Sequence, residues 1–272
     1  MKRIGSPLIF KDKKEKLNMT KQRDTSWNNS AAWYDDLLEK GNNYQSDLIL
    51  PNLLRLLEIK KGVKVLDLGC GTGYFSRRFF AKGASVVGVD LGKDLIEVAK
   101  KRSDKGIEYH VGSADDLKFL TDRSFDVVVI VLALQNMENS LKVLQECSRV
   151  LKEGGKVFLV LNHPAFRVVK SSSWGWDEKN KIQYRRIDTY LTSAKEKMQM
   201  HPGDDPSVYT WTFHRSLQDY FKMFVKNNFV VTRLEEWISP KHTPTGPRAA
   251  AENLARKEIP LFLFLELRKI NS

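Results

Sequence analysis

The chain has 272 residues, 42% apolar and 29% charged, with 14 Phe, 8 Tyr and 6 Trp, which predicts a soluble globular protein: one large domain, or a domain with appendages. Two cysteines, Cys70 and Cys147, are too few for a disulfide framework and point to a reducing, cytoplasmic compartment. The longest apolar runs, 125–134 and 260–267, are too short to span a bilayer, and the N-terminus has no long apolar run with a small-residue cleavage site, which argues against secretion.

In chain order, residues 1–26 form a polar, basic lead. Residues 27–60 read as a helical segment: Ser30–Lys40 has a serine cap and an aromatic face, and Pro51 suits the first turn of a second helix running to about Ile59. A rhythm then begins. The strands "KVLDLG", "SVVGVD", "IEYHVG", "FDVVVIVLA" and "KVFLVLN" alternate with the helices "GYFSRRFFAKG", "KDLIEVAKKRS" and "NSLKVLQECSRVLKEGG", the last closed by a glycine pair. Short apolar strands alternating with amphipathic helices predict an α/β fold, a largely parallel sheet covered on both faces. Residues 163–213, polar and aromatic, interrupt the rhythm as an insertion. "HRSLQDYFKMFVKNNF" is a helix with Ser216 as its cap, and "VVTRLEEWI" and "PLFLFLELRK" are two further strands. A second insertion, 239–258, holds a turn-rich piece and a short helical piece.

The chemistry concentrates at "VLDLGCGTG", residues 65–73, where a strand meets a glycine-rich turn and a helix. Gly69, Gly71 and Gly73 allow close approach of the backbone to a ligand, and the following helix offers free N–H groups. Asp90 closes the second strand nineteen residues after Gly71, where a carboxylate can accept hydrogen bonds from a ribose diol. A dinucleotide fingerprint would need glycine at Tyr74, and no G-K-[ST] phosphate loop follows. Asp67 would repel a pyrophosphate and favour an ammonium- or sulfonium-bearing ligand. No CxxC, HExxH or His-Cys cluster supports a metal site.

Together "VLDLGCGTGYFS", "VVGVDLGKDLIEVAKKR", "VGSADDLKF", "SFDVVVIVLALQNMEN" and "ECSRVLKEGGKVFLVLNHP" resemble a class I S-adenosylmethionine-dependent methyltransferase, closest to the type 11, ubiquinone-biosynthesis-like domain. The resemblance is strong over roughly residues 45–165. It implies a Rossmann-like seven-stranded sheet of order 3-2-1-4-5-7-6 with an antiparallel last strand, and S-adenosyl-L-methionine as cofactor. It places Gly69, Cys70, Gly71, Thr72 and Gly73 around the methionine part, Asp67 towards the amino group, Asp90 on the ribose and Leu91 against the adenine. Ala114 would offer its backbone N–H to the adenine. Ser113 stands where the family carries Asp, with Asp115 as the substitute acid. Val131 and Leu132 would line the sulfur side, and Tyr44, with Trp33, Tyr34 and Gln45, belongs to a segment that covers the cofactor in relatives.

Methyl transfer needs in-line alignment more than acid–base help, so a general base serves only acceptors that must lose a proton. His163, just past the fifth strand, is the candidate base or substrate hydrogen-bonder, against a structural role holding a loop. Tyr34, Trp174, Trp176, Tyr184, Arg185 and His214 are candidate acceptor-side residues, with Arg186, His201 and Trp211 in the insertion 163–213 and Arg248, between the last two strands, as a further wall; stapling of the insertion is the competing reading. The expected function is methyl transfer to a small or medium-sized acceptor. The net charge of +12 keeps RNA methylation open as the alternative, and a non-enzymatic cofactor-binding scaffold stands third. Against RNA stand the lack of a recognisable RNA-binding module and of an Asn/Asp-Pro-Pro-aromatic motif, where the chain reads "VLALQN".

Overall fold

A computed structural model describes residues 31–201 and 205–270; the side chains of 31–34, 200–201 and 205–208 are not described. The basic lead 1–26 and the side chains of Trp33, Tyr34 and His201 therefore lie outside the described residues.

Seven strands form the central sheet: β1 (Lys64–Leu68), β2 (Ser85–Asp90), β3 (Glu108–Val111), β4 (Phe125–Val131), β5 (Leu151–Asn162), β10 (Phe229–Trp237) and β11 (Phe262–Lys269). Their spatial order is β3-β2-β1-β4-β5-β11-β10. β1 to β5 pair in parallel, while β11 runs antiparallel to both β5 and β10. This is the order and sense that the family resemblance implies.

The strands are buried on both faces because side chains alternate sides. Leu66, Leu68, Val128, Ile130, Leu159 and Leu161 pack with α5 (Ser140–Val150) and α6 (Leu217–Lys226) through Leu144, Cys147 and Phe224. Val65, Val127, Val129, Phe158 and Val160 point the other way. They meet Phe75 and Phe79 of α3 (Tyr74–Ala81), Ile96 and Ala99 of α4 (Lys93–Arg102), and Leu38 and Leu53 of α1 (Ala31–Glu39) and α2 (Leu50–Leu57). Burying a Leu or Ile side chain contributes roughly 1.5–3 kcal/mol, so these two layers dominate the stability of the sheet.

Some local features depart from the sequence reading. The helix expected to run to the glycine pair 154–155 stops at Val150, and β5 begins at once. Gly154 takes φ +71, and the β4–β5 register jumps from Phe125↔Leu151 to Val127↔Lys156, so the intervening residues bulge out of the ladder. A single π-helical turn, Gln45–Ile49, precedes α2.

The insertion 163–213 is not irregular. It builds two antiparallel hairpins, each a separate two-stranded sheet: β6 (Ser172–Asp177) with β7 (Ile182–Ile187), and β8 (Ala194–His201) with β9 (Asp205–His214). The second insertion ends in α7 (Ala249–Glu258), which packs on β7.

Candidate functional site

β1 is flanked by β2 and β4, so the chain leaving Leu68 emerges where the strand order reverses, the usual crevice of an open parallel sheet. Gly69, Gly71 and Gly73 all take positive φ (76°, 55° and 75°). At Gly69 a Cβ would stand 2.6 Å from the Ala133 Cβ, so only glycine lets this turn close against the loop after β4. Gly69 N–H and Cys70 N–H both donate to Val89 O, at 2.7 and 3.1 Å, which ties the turn to β2.

That tie brings Asp90 under the turn. Its Oδ2 accepts the Gly71 N–H at 2.9 Å and its Oδ1 accepts the Gly92 N–H at 2.8 Å. Burial pushes its carboxyl upward, opposed by the backbone N–H groups of Gly92, Gly71 and Leu91. Each carboxylate oxygen keeps further acceptor capacity. Asp67 is 1% exposed and accepts from Ser76 Oγ at 2.5 Å. Burial, reinforced by the nearby Asp90, pushes Asp67 up to about 7, while the Ser76 hydrogen bond lowers it.

Thr72 is fully buried, and among the described residues its hydroxyl oxygen has no hydrogen-bond partner. The Cys70 side chain packs into the core, and burial holds its thiol well above the ordinary range, protonated and inert.

On the β3 side, Ser113 Oγ donates to Asp115, whose other oxygen accepts Asn139 Nδ2 at 2.9 Å. Ala114 is half-buried between them. Val131 and Leu132 end β4, and Leu132 takes φ +53, a conformation costing a branched side chain on the order of 1 kcal/mol. Its N–H donates to Val160 O at 2.8 Å, which holds the strained residue in place.

Tyr44 stands at the β11 side: its ring meets Phe262 edge-on, 5.7 Å between centroids, and its hydroxyl reaches Ser239 Oγ at 3.2 Å. His163 is 2% exposed and committed at both ring nitrogens. Nδ1 accepts the Ala165 N–H at 3.2 Å, so Nε2 carries the proton and donates to Glu236 Oε1 at 2.8 Å. Burial pushes its pKa below the usual histidine value, outweighing Glu236, so the ring is neutral at neutral pH and has no free lone pair.

Past the ends of β4 and β5 lies a small cleft, open to solvent. Its lining includes Gln135, Asn162, Arg167, Thr212, His214 and Tyr220. β9 covers it, with Thr212 Oγ1 donating to Gln135 O at 3.4 Å. His214 Nε2 is bound to Tyr190 O at 2.6 Å.

The hairpin register sorts the other candidates. Trp174 and Arg185 are directly paired and share a face, whereas Tyr184 lies opposite Gly175 on the other face. Trp176 donates to Glu178 and carries the Arg248 guanidinium 4.6 Å above its ring. Of these candidates His214 lines the cleft, Trp174 and Arg185 stand behind it next to the wall residue Arg167, and Tyr184 and Trp176 do not join them.

Sequence reasoning missed Arg167, Gln135 and Thr212. Arg167 lies in the insertion 163–213, four residues past His163. An arginine in an otherwise apolar "AFRVV" run was the signal.

Among the described residues no helix is long and apolar enough to cross a membrane, and no cluster of three or more His, Cys, Asp or Glu is placed to hold a metal ion. Residues 66–159 match a family model described as a methyltransferase domain. The ubiquinone biosynthesis O-methyltransferase of Xanthomonas oryzae pv. oryzae is 37% identical over 101 residues, which is 36% of this chain and 42% of that protein. An uncharacterized protein of Methanocaldococcus jannaschii is 34% identical over 144 residues, 52% of this chain and 63% of that one. The chain therefore spans less than two thirds of the length of these curated relatives. Among solved structures, an S-adenosylmethionine-dependent methyltransferase from Mesorhizobium loti superposes with a TM-score of 0.66 at 26% identity, over 80% of this chain and 96% of that one. A Haloferax volcanii methyltransferase in complex with the Trm112 activator shares the fold, with a TM-score of 0.64 at 19% identity over 91% of this chain and 99% of that one. With the strand order, the glycine turn and these matches together, the chain has the fold of the class I S-adenosylmethionine-dependent methyltransferases, and its residues 66–159 resemble their methyltransferase domain.

Proposed function

We propose that this protein transfers a methyl group from S-adenosyl-L-methionine to a small or medium-sized acceptor. The observation that carries the reading is Asp90: two backbone N–H groups, one from the glycine turn, fix its carboxylate at the reversal point of the sheet. The donor set fits the cofactor. Asp90 would hold the ribose hydroxyls, and Asp67 would sit near the positively charged methionine part. The unpartnered Thr72 hydroxyl is a donor left over in the turn. Leu91, Ser113, Ala114 and Asp115 would bound the adenine, and Val131 and Leu132 the sulfur side. The cofactor supplies an electrophilic methyl on a sulfonium; the chain's own residues position, shield from water and complement the charge.

His163 supports the fold of this region rather than proton transfer, since both ring nitrogens are engaged. β9 walls one side of the cleft through Thr212, where an acceptor would have to fit beside Gln135.

Calorimetric titration with S-adenosylhomocysteine tests the reading, and absence of binding at millimolar ligand overturns it. Asp90→Ala should weaken binding roughly 10- to 100-fold, the scale of lost hydrogen bonds to a charged group. Unchanged affinity would remove Asp90 from the site.

A further inference from the structure

The loop after β5 makes one helical turn, with Phe166 N–H and Arg167 N–H both donating to His163 O, at 3.2 and 2.8 Å. This turn carries Arg167 from the β5 end into the wall of the cleft. Among the described residues its guanidinium makes no side-chain hydrogen bond or ion pair, and its Nε is buried without a partner. A second cation stands beside it. Arg185 reaches over from β7, donating Nε–H to Phe166 O at 2.8 Å and a terminal N–H to Ser172 Oγ at 2.6 Å. The two guanidinium carbons lie 5.8 and 5.3 Å from the centre of the same ring, Trp174.

Burial disfavours the charge on both, and the charge of Arg167 further disfavours that on Arg185. The carboxylate in the cleft lining, Glu196, is held 2.8 Å from Lys170. Gln135, 9% exposed, adds to the same wall a side-chain oxygen with no partner among the described residues. Two half-buried like charges with no counter-charge among the described residues are costly, and the natural remedy is an anion brought by a ligand.

We propose that the acceptor of this enzyme carries an anionic group, which Arg167, supported by Arg185, binds in the cleft beyond β4 and β5. The Trp174 ring gives the arginines an aromatic face to lie on, and the fork of a guanidinium matches a carboxylate or a phosphoryl group with two parallel hydrogen bonds. The open amide oxygen of Gln135 suits a hydroxyl or amine donor on the same molecule. Arg167 thereby selects the substrate by charge. This assignment rests on the methyl-transfer reading, and the test separates the two.

Ligand-observed NMR with three aromatic probes of like shape, benzoate, neutral benzamide and cationic benzamidine, is run with and without saturating S-adenosylhomocysteine. Benzoate should bind at least 10-fold more tightly than benzamide, and benzamidine should bind most weakly. Phenyl phosphate in place of benzoate tells a carboxylate site from a phosphoryl site. Arg167→Gln should erase the preference for benzoate while leaving S-adenosylhomocysteine affinity intact. Arg167→Lys should restore part of it, since the charge returns without the fork. Equal binding of benzoate and benzamide by protein that binds S-adenosylhomocysteine overturns the proposal, as does undiminished benzoate binding by Arg167→Gln. Selective benzoate binding by protein that does not take up S-adenosylhomocysteine overturns the acceptor role and the methyl-transfer reading with it.

Discussion

Asp67 shows how one buried carboxyl links folding, ligand and pH. Its folded pKa of about 7 lies above the ordinary value near 4, so it is proton-bound in the fold when the unfolded chain has already ionised. Its contribution to stability is complete below about pH 4, fades as pH rises through the interval, and is gone above about pH 7; the span is on the order of 4 kcal/mol. A ligand bearing an ammonium or sulfonium favours the ionised form and so lowers this pKa. Binding of S-adenosylhomocysteine near pH 6 should therefore release a proton, and affinity should rise with pH until it levels above about 7. Calorimetry in buffers of different ionisation enthalpy reads the proton directly. Asp67→Asn should abolish the release; a wild-type profile in that variant would place the proton elsewhere. At the same scale, Asp90 and the glycines were legible in the sequence, because turn chemistry and strand ends are local. The fates of His163 and Arg167 were not. Whether a ring nitrogen is free, or a guanidinium unpaired, depends on Glu236 and on the β6–β7 hairpin, which are remote in sequence.

At the scale of elements, α6 was read with its cap, and the structure supplies the reason. Ser216 Oγ accepts the Asp219 N–H while the Asp219 carboxylate accepts the Ser216 N–H, a reciprocal capping box. Ser216→Ala should cost about 1 kcal/mol in urea unfolding with an unchanged slope. No loss would mean that the buried Tyr220 and Phe224 alone hold the helix. The parallel strands were equally plain, since each is a short apolar run between glycine or charge. The hairpins were not. In "VYTWTFH" the alternation of Tyr209, Trp211 and Phe213 with Thr210 and Thr212 is a period of two, and Thr210 and Thr212 are the buried set. The inversion hid it: the aromatics face outward and the threonines inward, against the usual expectation that the larger apolar side chains fill the core.

Taken as one molecule, the protein carries its net charge of +12 partly on the outer face of β8 and β9. There Lys197 lies 4.1 Å from the Tyr209 ring centre and Lys195 lies 5.0 Å from that of Trp211. Such a surface attracts polyanions through counterion release, a term that falls steeply with salt. Association with mixed cellular RNA should therefore vanish by roughly 0.15 M salt. Retention at that ionic strength, with RNA competing against product formation, would turn the acceptor class towards nucleic acid.

The placement of β11 has a consequence for synthesis. β11 lies between β5 and β10 and supplies hydrogen bonds to both, yet it follows them in the chain. While a ribosome is still making residues up to 261, β5 has one open edge and β10 has no partner at all. The nascent chain then exposes strand edges that can pair with a neighbour. The half of the sheet that bears the cleft past β4 and β5 closes last, in a single late step, whereas the half that bears Asp67 and Asp90 has its complete set of strands far earlier.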